Sequence, residues 1–198
     1  MNTESVDAVR RHLEELARNA ALAADQVAGP AARYAELVRA TLQGDGKLLF
    51  AGNGGSAASA EHMATEYVVR LRRQRRALPA IALSSCTATL SACANDFGFE
   101  RVFARVLEAH GRAGDLLVLH STSGNSENLL EAARAAREMQ ITSVALLNRA
   151  GGRLAPLVDL PIQLPADDSA GVQELQLAVE HAVADLVDEW FAANRNGP

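Results

Sequence analysis

Lys47 to Arg70 reads KLLFAGNGGSAASAEHMATEYVVR, a strand, a glycine-rich loop and a helix in succession. KLLFA is an apolar run of buried-strand length. It stops at Gly52-Asn53-Gly54-Gly55, where glycine lets the chain turn sharply and bring backbone N–H groups close to a ligand. Ser56 then caps the helix. A helix N-terminus opening from such a loop carries unpaired N–H donors at the positive end of the dipole, which suits a phosphate. On that helix His62 and Glu66 stand four residues apart and face the same way. An anion cradle beside an imidazole and a carboxylate suggests a phosphorylated substrate with chemistry next to it. The loop is neither GxGxxG nor GxxxxGK[ST], so the dinucleotide and P-loop readings lose their main support.

Further along, the same design recurs. Asp115 to Leu119 is a buried strand that runs into His120-Ser121-Thr122-Ser123-Gly124-Asn125-Ser126-Glu127-Asn128, followed by a helix over Leu129 to Met139. The hydroxyls of Ser121, Thr122, Ser123 and Ser126, with the loop N–H groups, are able to surround a phosphate without any lysine. His120 reads as a strand-end packing residue. Ala80 to Leu83, Thr142 to Leu147 and Leu160 to Leu164 supply further strands. Strands alternating with helices predict a parallel sheet covered on both faces, with ligands at the carboxyl ends of the strands.

Before the opening strand, Val6, Val9, Leu13, Leu16, Ala20 and Val27 mark an amphipathic helix that Gly29-Pro30 ends, and Tyr34 to Leu42 a second one. The first must bury its stripe on its own domain or on another subunit. After the opening helix, Arg70 to Arg76 forms a basic cluster that reads as a solvated loop, a subunit contact or a lure for an anionic substrate. A short helix follows over Thr87 to Ala94, and Asn95-Asp96-Phe97-Gly98-Phe99 breaks it. That break is ordinary turn chemistry or a loop offering an amide and a carboxylate to a polyhydroxylated ligand. The last helix, Val172 to Ala193, is apolar on more than one narrow stripe and carries Gln173 and His181, the latter by itself a core residue. The tail Asn194 to Pro198 reads as frayed.

With 198 residues and 48% hydrophobic content, one compact domain is expected. A net charge of -5 speaks against a general nucleic-acid binder. No apolar run approaches the roughly 18 residues that span a bilayer, and the N-terminus lacks the plan of a signal peptide, so no membrane partner and a cytoplasmic protein are expected. Cys86 and Cys93 lack CxxC spacing and read as free buried thiols.

GNGGSAASAEHMATE, ANDFGF, STSGNS and Gln173-Glu174-Leu175 followed by His181 together resemble the phosphoheptose isomerase family of the sugar-isomerase (SIS) domain superfamily. The resemblance runs from the first helix to the last. It implies a single SIS domain over residues 1–198, a three-layer α/β/α sandwich around a five-stranded parallel sheet. Residues 1–45 would serve subunit packing and 46–193 form the core of a homotetramer with active sites between subunits. Asn53, Gly54, Gly55, Asn95 and Asp96 would contact the sugar phosphate, together with Glu66 and Gln173, while Ser121, Thr122, Ser123 and Ser126 hold its phosphate. His62, Glu66, Gln173 and His181 match the family's zinc ligands, with Glu66 and His181 also its acid/base pair; this moves His181 from the core to the site. Gln173 and His181, if on one ideal helix, are separated by a rise of about 12 Å. Sharing one ion would then take long converging side chains, a frayed helix start or ligands from two chains.

The activity implied is aldose–ketose isomerisation of sedoheptulose 7-phosphate to D-glycero-D-manno-heptose 7-phosphate through an enediol. Ser59 and Ala170 stand where members of the family carry or would carry an aspartate, which keeps open a related substrate such as an octulose 8-phosphate. A third reading is a non-catalytic SIS protein that assembles with the replication initiator; such proteins lose the His/Glu pair that this chain retains.

Overall fold

Leu48, Phe50, Leu116, Val118, Val144 and Leu146 feed one buried core, and Leu49, Ala51, Leu117, Leu119, Ala145 and Leu147 a second one. That alternation, with period two along every central strand, is what a sheet covered on both faces requires. The computed structural model describes residues 2–193, so the expected frayed tail at Asn194 to Pro198 lies outside it.

The strands are β1 (Leu48–Gly52), β2 (Ala80–Ala82), β3 (Leu116–Ser121), β4 (Thr142–Leu147) and β5 (Leu160–Gln163), and the helices are α1 (Thr3–Gln43), α2 (Gly55–Val68), α3 (Thr87–Phe97), α4 (Val102–His110), α5 (Glu127–Glu138) and α6 (Ser169–Ala193). All strand pairs are parallel, in the order β2-β1-β3-β4-β5. Helices α1, α2 and α6 pack on the first core, and α4 and α5, with Cys93 of α3, on the second. The expected three-layer α/β/α arrangement with its five-stranded parallel sheet is therefore present.

Three boundaries differ from the sequence reading. Gly29-Pro30 does not end a helix: α1 runs unbroken from Thr3 to Gln43 with Pro30 inside it. Ala23, Val27, Tyr34, Val38 and Leu42 form a single buried stripe across the proline, and their packing outweighs the lost N–H of Pro30. Asn95 and Asp96 do not break α3 but belong to its last turn; the chain turns at Gly98, whose φ of 90° is a conformation that L side chains rarely adopt. The last helix starts at Ser169 rather than Val172, because the Asp168 carboxylate accepts the N–H groups of Ala170 and Gly171 and so caps it. Those bonds, that of Gly171 foremost, hold the Asp168 carboxyl below its ordinary value.

Ahead of Ala23 no residue of α1 is buried, and Val9 and Leu13 are 61% and 58% exposed. A 2.8 Å contact between His12 Nε2 and Glu174 Oε1 ties this projecting half to α6. Both cysteines are free; Cys93 is buried as expected, whereas Cys86 is exposed just ahead of α3.

A proline inside a helix costs about 3 kcal/mol relative to alanine. Pro30→Ala should therefore raise the unfolding free energy by about 1–3 kcal/mol, read as a higher urea midpoint. A true break between two helices at this point would instead leave the midpoint unchanged or lower it.

Candidate active site

Strand order reverses between β1 and β3: the chain leaves β1 for the β2 edge and leaves β3 for β4. The crossover helices α2 and α5 consequently fall on opposite faces, and a crevice opens between the carboxyl ends of the two strands. Both loops singled out from the sequence emerge at this crevice. They are joined across it by reciprocal amide bonds, Asn53 Nδ2 to Asn128 Oδ1 and Asn128 Nδ2 to Asn53 Oδ1, each 2.9 Å. Asn128 is buried. The sequence pattern had no means of singling it out, since a helix-opening Asn looks like any other.

Gly54 starts α2 with φ 55° and no side-chain cap; Ser56, expected as the cap, is instead buried within the first turn, its N–H donating to the Asn53 carbonyl. The exposed Gly54 and Gly55 leave the backbone of the helix start open to the crevice.

One face of α2 meets α6. His62 Nε2 lies 2.9 Å from His181 Nε2 and 3.6 Å from Glu66 Oε1, with the two imidazoles edge to face. Thus the sequence-predicted His62, Glu66 and His181 come together within one chain. Gln173 does not join them. With α6 intact from Ser169, it sits about two turns before His181. Its carboxamide covers Gly55 so closely that a Cβ there would lie 2.8 Å from Nε2. The contacts Gly55–Gln173 and His62–His181 advance together, so the two helices run parallel.

The three converging side chains do not form a ready-made cage: among the described residues no group of three or more His, Cys, Asp or Glu is arranged to hold a metal ion. Their donor chemistry nonetheless fits one, since two imidazole nitrogens and a carboxylate are the ligand types zinc takes in catalytic sites, and their contacts are close to ligand-to-ligand spacing.

In the loop after β3, Ser121 Oγ is buried and accepts the N–H of Gly124 at 3.0 Å, and Ser123 Oγ accepts that of Asn125 at 3.1 Å. These two hydroxyls shape the loop. Thr122 Oγ1 accepts a bond from Ser169 at 3.3 Å, joining the loop to the head of α6. Ser126 precedes α5 without a side-chain cap bond, so its hydroxyl is not spent on the first N–H groups of α5. Asn95 and Asp96 are exposed on α3 and bond to one another at 2.8 Å; no hydrogen bond links them to the His62 cluster or to the serine loop.

Behind the site, His120 is fully buried and its Nε2 is 2.7 Å from Glu180 Oε1, while the Tyr34 hydroxyl donates to Glu180 Oε2 at 3.0 Å. Burial, then the charge of Glu180, pushes the Tyr34 phenol well above its ordinary value, so it remains a donor. His120 adjoins the serine loop and Glu180 adjoins His181, so this network links the two halves of the crevice.

The basic cluster is solvated only in part: Arg70, Arg72 and Arg76 are exposed, whereas the Arg75 side chain is buried. Arg72 and Arg73 pair with Asp185, Arg73 with Glu189 and Arg75 with Asp188, while the Arg76 guanidinium lies over the Phe191 ring, 5.4 Å from its centre. An acidic stripe on α6 thus clamps the loop that follows α2.

The description "SIS domain" matches residues 7–148. Phosphoheptose isomerase of Rhodospirillum rubrum is 44% identical over 158 residues, 80% of this chain and 84% of that one. The Geobacter sulfurreducens protein of the same name is 43% identical over 187 residues, 94% and 95% of the two chains. Among solved structures, phosphoheptose isomerase from Neisseria gonorrhoeae superposes with a TM-score of 0.87 at 39% identity, over 92% of this chain and 98% of that one. The Francisella tularensis phosphoheptose isomerase gives 0.90 at 31% identity, over 96% and 100%.

Leaving the part-buried Asn53–Asn128 pair half-paired costs about 1–3 kcal/mol. Asn128→Ala should lower the unfolding free energy by that amount in urea titration, and an unchanged midpoint would show that the amide pair does not hold the two loops together.

Proposed function

The chain belongs to the phosphoheptose isomerase family of SIS-domain proteins, and on that footing we propose that it interconverts sedoheptulose 7-phosphate and D-glycero-D-manno-heptose 7-phosphate. The observation that carries the reading is the meeting of His62, Glu66 and His181 beside a switch-point crevice flanked by two anion-binding helix starts. Isomerisation moves one proton between neighbouring carbons. The Glu66 carboxylate takes a proton from C1 of the ketose and, after exchange with solvent, delivers one to C2 of the enediol, while His181 shuttles the proton between the two oxygens. The Ser126 hydroxyl and the start of α5, with the loop shaped by Ser121 and Ser123, bind the phosphate at the far end and orient the sugar.

Zinc belongs to this proposal, supported by the donor types of His62, Glu66 and His181. When bound there it supplies Lewis-acid polarisation of the substrate's carbonyl and hydroxyl oxygens. Gln173 is the fourth ligand only through a change of rotamer or a contribution from another subunit.

A homotetramer with sites between subunits is part of the same reading. Its support is the apolar surface one chain leaves uncovered: Val9 and Leu13 of α1, Val68 and Val69 at the end of α2, and Phe97 and Phe99 around the end of α3 are each 45–62% exposed. Asn95 and Asp96 lie on that last surface and would reach a sugar across a subunit boundary. A cytoplasmic location also belongs here, since a charged sugar phosphate stays in the compartment where it is made; no described helix is long and apolar enough to cross a membrane.

Octulose 8-phosphate remains a second substrate to assay because Ser59 spends its hydroxyl on the Gly55 carbonyl at 3.3 Å and Ala170 offers no polar group. The non-catalytic reading loses ground to the intact His/Glu/His cluster.

Glu66→Gln should abolish turnover of sedoheptulose 7-phosphate while leaving its binding, measured by calorimetry, largely intact; full activity in that variant would sink the assignment. Dialysis of the wild-type protein against a chelator should remove activity that added zinc restores, and chelator-resistant turnover would take zinc out of the reaction.

A further inference from the structure

Glu66 and His181 stand on different helices, so their spacing is only as fixed as the placement of α2 against α6. The geometry points to Arg75 as a positioning residue for this acid/base pair, acting through the backbone of Glu66 and the carboxylate of Asp188. The inference rests on the isomerase reading above.

Arg75 reaches back from the loop after α2. Its Nη2 donates to the carbonyl of Glu66 at 2.7 Å, and its Nη1 to the carbonyls of Tyr67 at 2.8 Å and Arg76 at 3.0 Å. These Glu66 and Tyr67 carbonyls belong to the last turn of α2, where helix geometry leaves acceptors without donors and places the negative end of the dipole. The same guanidinium donates from Nε to Asp188 Oδ1 at 2.6 Å. Asp188 lies on α6 seven residues beyond His181, about two turns along the same face. Its other oxygen accepts the N–H groups of Arg72 and Arg73 at 2.8 and 3.0 Å.

One planar group therefore grips the peptide unit that carries Glu66 and the helix that carries His181. Both side chains are 1% exposed, so water cannot replace a lost bond. Burial alone would raise the Asp188 carboxyl, but the two N–H groups and the guanidinium together hold it below its ordinary value. The bonds to the Glu66 and Tyr67 carbonyls cap α2 and, through the same guanidinium, tie the peptide unit of Glu66 to α6. A lysine ammonium cannot span these acceptors, because it is a compact point donor rather than a rigid fork.

The test compares wild type, Arg75→Lys and the double variant Arg75→Met/Asp188→Leu in thermal unfolding, in steady-state kinetics with sedoheptulose 7-phosphate, and in imidazole ¹H–¹⁵N spectra. Replacing both members of a buried ion pair by apolar side chains leaves no uncompensated charge, so the double variant is the one best suited to remove the clamp while the chain still folds. The expected result is a folded protein with a lower Tm, since the Glu66 carbonyl and the Arg72 and Arg73 N–H groups lose their partners, a KM within about twofold at a temperature well below that Tm, and kcat lower by about 10- to 100-fold, the effect of misplacing a catalytic group by about 1 Å. The His62 and His181 resonances should move while those of His12 and His110 stay. Arg75→Lys should fall between wild type and the double variant in kcat, and it carries the test should the double variant not fold. A folded variant with wild-type kcat and unmoved His62 and His181 resonances would overturn the proposal. Absence of turnover in the wild type would count against the isomerase reading instead, and the imidazole spectra would then decide the positioning claim alone.

Discussion

His62, Glu66 and His181, the side chains proposed to carry the chemistry, meet only because α2 and α6 run parallel at a fixed register. Seven residues separate Gly55 from His62 and eight separate Gln173 from His181, so a slip of one turn on either helix would part the two imidazoles. Apolar packing is non-directional and guards against such a slip less strictly than paired polar groups do. The fold uses buried polar anchors on α6 instead. Glu180 is held by His120 and Tyr34, and Asp188 by Arg75 and two backbone N–H groups. Removing one partner of such a buried pair leaves an uncompensated charge, at about 3–5 kcal/mol, so the register is defended by a steep penalty.

The sheet supplies the other half of the arrangement. Because the strand order reverses between β1 and β3, two helix starts open side by side from opposite faces. One of them leads into the helix bearing His62 and Glu66, and the other follows the serine loop. The Asn53–Asn128 pair sets the distance between them, and His120 fastens the end of β3 to the residue beside His181. On the proposed reading, binding at the phosphate end of a sugar is transmitted to chemistry at its other end through these rigid elements.

Much of this was legible in the sequence because it depends on local pattern. Buried strands show as short apolar runs, and glycine- and serine-rich loops mark the strand ends that face a ligand. The His62–Glu66 pair follows from helical spacing alone. What was hidden depends on tertiary partners. Pro30 reads as a stop, and only the continuous stripe from Ala23 to Leu42 overrides it. Arg70 to Arg76 reads as a solvated patch because its counter-charges, Asp185, Asp188 and Glu189, lie more than a hundred residues away. Asn128 is invisible until the switch point brings it opposite Asn53. Gln173 was doubtful as a ligand on helix geometry, and the Asp168 cap, which leaves no frayed start at that end, sharpens the point. The boundary at Asn95-Asp96 was misplaced because turn-forming residues also end helices, and the glycine two residues later does the turning.

The central claim is a proton transfer between neighbouring carbons of a sugar phosphate, made by side chains that two parallel helices bring together. Its most direct test is to incubate the purified protein with sedoheptulose 7-phosphate in deuterium oxide and analyse the product by NMR and mass spectrometry. The account predicts deuterium at C2 of the heptose 7-phosphate formed. Product that carries no deuterium at C2, or no product at all, would contradict it.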